Sequence, residues 1–198
     1  TLLLHGDKKA LSRALDKYPE IKKMCKIRHC DKVIQMGDKP SQSIRGGKNS
    51  SMWNSIESVK SSKAEVAISC GNTGSLMAIS TLLLRKLPEV KRPAIAIFWP
   101  STSDQGFNVV LDAGADIKAQ PSDLLAYSNF GSDIFSKVFN TRKVKVGLLN
   151  VGTETHKGNE QLRKASELFT ETFTDGGIEY VGFVEGSDFS SDKANVIV

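Results

Sequence analysis

Short apolar runs, β-branched or leucine-rich, recur at positions 1–4, 24–28, 64–69, 94–98, 109–111, 145–149, 179–184 and 195–198, and their length and composition predict strands. Val66-Ala67-Ile68 and Val146-Gly147-Leu148-Leu149 are almost uninterrupted, the pattern of strands covered on both faces, which points to parallel pairing. Between the runs lie helical stretches at 8–17, 52–61, 75–87, 123–139 and 160–173, where apolar residues return every three or four positions, as in Leu76, Ile79, Leu83 and Leu87. Alternation of the two patterns predicts an α/β fold: a doubly wound, mostly parallel sheet with flanking helices. Such a fold has right-handed crossovers and takes its ligands at the carboxyl ends of the strands. Residues 1–198 are expected to form one domain. Residues 39–51, with Pro40, Gly46 and Gly47, are expected to form a mobile loop, and 101–106 a second. Because Thr1 enters a predicted strand without an initiator Met and the chain stops at the end of another, an internal fragment of a longer chain is expected.

Composition narrows the class. With 39% hydrophobic and 25% charged residues the chain is ordinary for a folded globular protein. No apolar run approaches the roughly 20 residues of a membrane span, so a soluble cytoplasmic protein is expected. Cys25, Cys30 and Cys70 form no C-x-x-C pair and suggest reduced thiols rather than a disulfide or zinc framework. A net charge of +5 suits an acidic ligand, and equally an ordinary solvated surface. Lys and Arg are spread along the chain without aromatic interleaving, so nucleic acid is not an expected partner.

Chemistry is therefore sought in the strand-to-helix loops. Ser69-Cys70-Gly71-Asn72-Thr73-Gly74-Ser75 closes one predicted strand and opens a helix across two glycines. Asn72 or Thr73 would cap that helix, and its N-terminal N–H groups would receive an anionic or carbonyl oxygen; a capped turn with no ligand is the alternative. Leu149-Asn150-Val151-Gly152-Thr153-Glu154-Thr155-His156-Lys157-Gly158-Asn159-Glu160 follows another strand, and there Lys157 is either a donor to phosphate or a developing oxyanion, or a solvated loop lysine. Asp112 and Asp116 stand four apart after a third strand, a spacing read as loop organisation by Asp112 rather than as a metal pair. Glu185, at a fourth strand end, either orients Lys157 or caps a turn. Cys70 is read as a buried, inert thiol, no local base being visible.

Taken in order, several segments resemble the bacterial phosphate acyltransferase family. They are Lys39-Pro40-Ser41-Gln42-Ser43-Ile44-Arg45, Ser50-Ser51-Met52, Gly71-Asn72-Thr73-Gly74 with Leu76-Met77-Ala78, Arg92-Pro93-Ala94, and Leu111-Asp112-Ala113-Gly114-Ala115. Gly147-Leu148-Leu149-Asn150-Val151-Gly152, Lys157-Gly158-Asn159-Glu160 and Gly182-Phe183-Val184-Glu185-Gly186 complete the series. The resemblance implies that inorganic phosphate attacks the thioester of acyl-(acyl carrier protein), giving acyl phosphate for phospholipid synthesis, with no cofactor and no metal. It implies Lys157, Asn72, Thr73 and Asn159 as catalytic residues. Gly71, Gly74, Asp112, Gly152, Thr153, Gly158 and Glu185 would line the substrates. It further implies a fold resembling the isocitrate and isopropylmalate dehydrogenases, a homodimer, and peripheral association with the inner face of the membrane. The chain departs from the family pattern in lacking its Asp-x-Met-Gly-Gly-Asp and Asp-Gly-Phe-x-Gly-Asn segments, and Cys70 stands where Ala is common.

Rival readings are a phosphotransacetylase-like enzyme acting on acyl-coenzyme A, an NAD enzyme, and a non-catalytic basic binding module. The NAD reading lacks a G-x-G-x-x-G in context. The basic module rests on net charge alone.

Overall fold

The computed structural model describes residues 1–86, 90, 93–112, 119–154, 158–174 and 176–198. Where the pattern predicts one domain, the chain falls into two compact units, Thr1–Glu89 and Val90–Val198, each with buried apolar clusters of its own.

The first unit carries β1 (Leu2–Gly6), α1 (Lys8–Leu15), α2 (Pro19–Met24), β2 (Cys25–His29), α3 (Pro40–Gly46), α4 (Ser51–Lys60) and α5 (Thr73–Leu84). β1 and β2 pair in parallel from Leu2 opposite Cys25 to Gly6 opposite His29. Side-chain caps fix the helix starts: Asp7 accepts from Ala10 N–H at 2.7 Å, and buried Ser50 accepts from Trp53 N–H at 3.2 Å. Ile34, Met52, Trp53, Ile56 and Ile79 form the core.

Two expectations fail in this unit. Residues 40–46, expected within a mobile loop, are helix α3. Proline at the first helical position is preorganised there, and the Ser43 and Ser75 hydroxyls, both buried, sit 2.7 Å apart between α3 and α5. Residues 64–69 form no strand: among the described residues no ladder of backbone bonds reaches them, and Val66 and Ile68 are 71% and 85% exposed.

The second unit carries β3 (Ile97–Pro100), β4 (Phe107–Val110), α6 (Pro121–Phe139), β5 (Val144–Leu149), α7 (Glu160–Thr172), β6 (Ile178–Val184), a 3-10 turn (Gly186–Ser190) and β7 (Val196–Ile197). The sheet order is β3-β4-β7-β5-β6. The pairs β4–β7, β7–β5 and β5–β6 are parallel, whereas β3, displaced three residues from its predicted start, runs antiparallel to β4. Both faces of the central strands are buried, as the continuous apolar runs require. Val109, Val146, Leu148, Phe183 and Val196 pack on one side with Tyr127 and Phe135 of α6 and Ala165 and Phe169 of α7, and Val110, Val184 and Ile197 belong to a second cluster. The chain is thus α/β, with mostly parallel sheets and flanking helices.

Among the described residues, no helix is long and apolar enough to cross a membrane.

Candidate functional site

In the first unit Asn72 occupies the N-cap of α5, with non-helical backbone (φ −58°, ψ 113°). Its side chain is 8% exposed and fully committed. Oδ1 accepts from Ser75 N–H at 2.9 Å, while Nδ2 donates to the carbonyls of Met36 at 2.8 Å, Asp38 at 2.9 Å and Gln35 at 3.3 Å. One amide therefore caps the helix and latches the 35–38 segment across its start. Thr73, the first residue of α5, is exposed. The cap leaves the N–H groups of Thr73 and Gly74 as the first-turn donors it does not engage. A Cβ on Gly74 would come within 3.0 Å of Pro40 Cγ, so the small residue admits the α3 start against α5. Gly71 N–H donates to Ser69 Oγ at 3.2 Å. Cys70, expected to be buried, is exposed, in keeping with the unpaired run before it. Buried Cys30 accepts from Asn54 Nδ2 at 3.2 Å.

In the second unit the residues singled out follow the carboxyl ends of parallel strands of one sheet. β5 ends at Leu149, opposite Val184 of β6, so the Asn150 loop and Glu185 leave one edge of the sheet side by side. β4 runs parallel to β7, itself parallel to β5, which puts Asp112 on that edge too. Asn150, buried, donates its N–H to Val184 O at 2.8 Å and accepts from Val151 N–H at 2.9 Å through Oδ1. Gly152 is buried and Thr153 exposed. Gly158 adopts φ +83°, and a Cβ there would run into the Asn150 amide, so both conformation and contact call for glycine. Asn159 is the N-cap of α7, accepting from Leu162 N–H at 2.9 Å, and Arg163 Nη1 donates to Gly158 O at 3.0 Å. The loop is thus held at its two ends, by Asn150 and by the α7 cap.

Asp112 Oδ1 accepts from Ile95 N–H at 2.9 Å, the loop-organising geometry expected of it. Glu185 N–H donates to Asp188 Oδ2 at 2.9 Å, and the same oxygen accepts from Lys193 Nζ at 2.7 Å. The Lys193 bond, with the Glu185 N–H, lowers the Asp188 pKa below its usual value. Lys157 and Asp116 lie outside the described residues. Among the described residues no cluster of His, Cys, Asp and Glu could hold a metal ion. Motif reading missed the structural weight of Asn150 and Arg163; the signal available for Asn150 was its place directly after an apolar strand.

The family model described as "Fatty acid synthesis protein" matches residues 1–198. Proteins called "Phosphate acyltransferase" are 48% identical over 196 residues in Cereibacter sphaeroides and 49% identical over 196 residues in both Jannaschia sp. and Paracoccus denitrificans. Each alignment covers 99% of this chain and 53%, 54% and 53% of those proteins respectively. The chain thus spans about half the length of the curated relatives it matches. In fold it is similar to a phosphotransacetylase from Streptococcus pyogenes, with TM-score 0.58 and 13% identity over 100% of this chain and 77% of that one. It is likewise similar to the EutD phosphotransacetylase from Staphylococcus aureus, with TM-score 0.59 and 16% identity over 98% and 68%.

Proposed function

Since the chain belongs to the fatty acid synthesis protein family, we propose that the protein of which it forms a part transfers a fatty acyl group from acyl-(acyl carrier protein) to inorganic phosphate. The observation that carries this reading is the 48–49% identity, across 99% of the chain, to proteins called phosphate acyltransferase. A phosphate oxygen attacks the thioester carbonyl, a tetrahedral oxyanion forms, the carbon–sulfur bond breaks, and the carrier thiolate takes up a proton as acyl phosphate leaves. The reaction as written needs alignment and charge stabilisation, and no cofactor.

The committed side chain of Asn72, and the helix cap made by Asn159 Oδ1, suit positioning better than contact with substrate. In this reading each holds a helix start: Asn72 leaves the N–H groups of Thr73 and Gly74 as donors to an anionic or carbonyl oxygen, and Asn159 holds the start of α7 beside the loop of Lys157. Lys157 supplies the fixed cation, Gly158 shapes its loop, and Gly152, Thr153, Asp112 and Glu185 border the substrates on the same sheet edge. A second reading, transfer from acyl-coenzyme A, is favoured by the fold likeness to phosphotransacetylases. We further propose, from the family resemblance, a homodimer in the cytoplasm, peripheral to the membrane that receives its product, and a dehydrogenase-like variant of the α/β fold. Matched acyl-carrier and acyl-coenzyme A thioesters, assayed with the full-length protein, separate the two readings. Preference for the carrier by kcat/KM supports the first, and equal or better use of coenzyme A overturns it.

A further inference from the structure

The excess positive charge is not spread evenly. Residues 1–89 hold 16 Lys and Arg against 8 Asp and Glu, whereas residues 90–198 hold 11 against 14. Within the basic unit a cavity of about 520 Å³ is lined by His5 of β1, Arg28 and His29 of β2, Asn54, Glu57, Ser58 and Ser61 of α4, and Lys63. None of the assigned loop residues lines it.

Most of the uncharged lining is paired within the protein, and His5 Nδ1 is buried without a hydrogen-bond partner among the described residues. His29 Nδ1 accepts from Lys8 N–H at 3.1 Å, so its proton sits on Nε2, 2.8 Å from Asp31 Oδ1. Ser58 Oγ donates to Asn54 O at 3.0 Å, and therefore accepts from His5 Nε2–H at 3.1 Å. Burial, with Arg28 beside it, keeps the His5 ring below its ordinary pKa and hence neutral at pH 7.

The two cations are different. Lys22 and Lys23 of the same unit pair with Asp16 at 2.6 Å and Glu20 at 3.1 Å, but among the described residues neither Arg28 nor Lys63 makes an ion pair or a side-chain hydrogen bond. Arg28 stands opposite His5 in the β1–β2 register. Lys63 is returned toward the same cavity by a left-handed turn at Ser62 (φ 56°) and by its N–H bond to Ser58 O at 2.8 Å. A planar fork and an ammonium lining one cavity match a tetrahedral oxyanion. The volume lies within the roughly 300–1,000 Å³ range of small-molecule sites and leaves room beyond a bare phosphate. The Glu57 carboxylate in the same lining suits a hydroxyl or amide donor and repels a second anionic group.

We propose that this cavity is a binding site for a small organic phosphomonoester, its phosphate held by Arg28 and Lys63 and a donor group of its organic part held by Glu57. The site is separate from the acyl-transfer reading and stands or falls without it.

The test is a titration of the ¹⁵N-labelled full-length protein with ribose 5-phosphate, inorganic phosphate and neutral ribose, followed by backbone amide shifts. Ribose 5-phosphate is expected to give saturable shifts at 28–29 and 54–63, to bind more tightly than inorganic phosphate, and to leave ribose without effect. Arg28→Gln should weaken it at least about tenfold, the scale of one charge-assisted contact, while Lys22→Gln leaves it unchanged. Glu57→Gln should weaken ribose 5-phosphate while tightening inorganic phosphate, a two-way change that stays readable if Arg28→Gln does not fold. Linear shifts spread over the lysines of α1 and α2, unchanged affinity in Arg28→Gln, or unchanged affinities in Glu57→Gln would overturn the site. Equal binding of the two phosphates would overturn the organic occupant.

Discussion

Replacing Asn72 by alanine removes four contacts at once, and the structure sets their scale. Loss of the N-cap bond to Ser75 N–H costs about 1 kcal/mol. Two short bonds from Nδ2, to Met36 O and Asp38 O, add about 1 kcal/mol each, reduced where water reaches the freed carbonyls. A loss of about 2 to 3 kcal/mol is expected, in the range of a buried polar network rather than a surface position. Thr73→Ala, one residue on and exposed, should stay within about 0.5 kcal/mol. Asn72→Asp is the sharper probe. It keeps an acceptor for Ser75 N–H but sets a carboxylate oxygen against the carbonyls of Met36 and Asp38, so it should be no more stable than Asn72→Ala. Urea unfolding of each variant gives the differences, and turnover in the full-length protein completes the comparison. If Asn72→Ala stays within about 0.5 kcal/mol of the parent while turnover falls a hundredfold, Asn72 acts on substrate and the latch argument is wrong.

Gly158→Ala forces a side chain into φ +83° and against Asn150, and should cost about 2 kcal/mol or more by thermal unfolding; a neutral result would show that the loop relaxes freely. Because the folded state holds His5 below its ordinary pKa of 6.5, the unfolded chain binds the proton more readily. Stability should therefore fall as pH drops below 6.5 toward the folded value, and His5→Gln should flatten that slope; identical slopes in both proteins would contradict it. Lys157→Ala in the full-length protein should leave the thermal midpoint in place and cut phosphate-dependent turnover at least about a hundredfold, the scale of one lost electrostatic donor. Turnover within threefold of the parent would remove Lys157 from the chemistry. Cys70→Ala should keep most activity, whereas its loss in a folded variant would point to a covalent step.

How far the sequence was legible depended on where each signal resides. Helices α1, α4, α6 and α7 were readable from their apolar period, and in α1, α4 and α7 a capping side chain agrees with it, Asp7, Ser50 and Asn159. Pro40 and Gly46 pointed the other way, since proline at a helix start and proline in a loop look alike until Ser43 is seen against Ser75. The 64–69 run has strand composition, but a strand exists only through a ladder to its neighbours, and that is not local information. For the sites, the order of strand ends gave away the grouping of Asp112, the Asn150 loop and Glu185. The amide of Asn72 reaching back to residues 35–38 was beyond reach, because bonds spanning 34 to 37 positions leave no spacing to read.

The most direct test of the central claim follows both products in one reaction. Full-length protein is given acyl-(acyl carrier protein) with and without inorganic phosphate, free carrier thiol is counted, and acyl phosphate is trapped with hydroxylamine. Acyl transfer to phosphate predicts thiol and hydroxamate in equal amounts, both rising with phosphate and both absent without it. Thiol released at the same rate without phosphate, or released with no acyl phosphate to trap, would contradict the account.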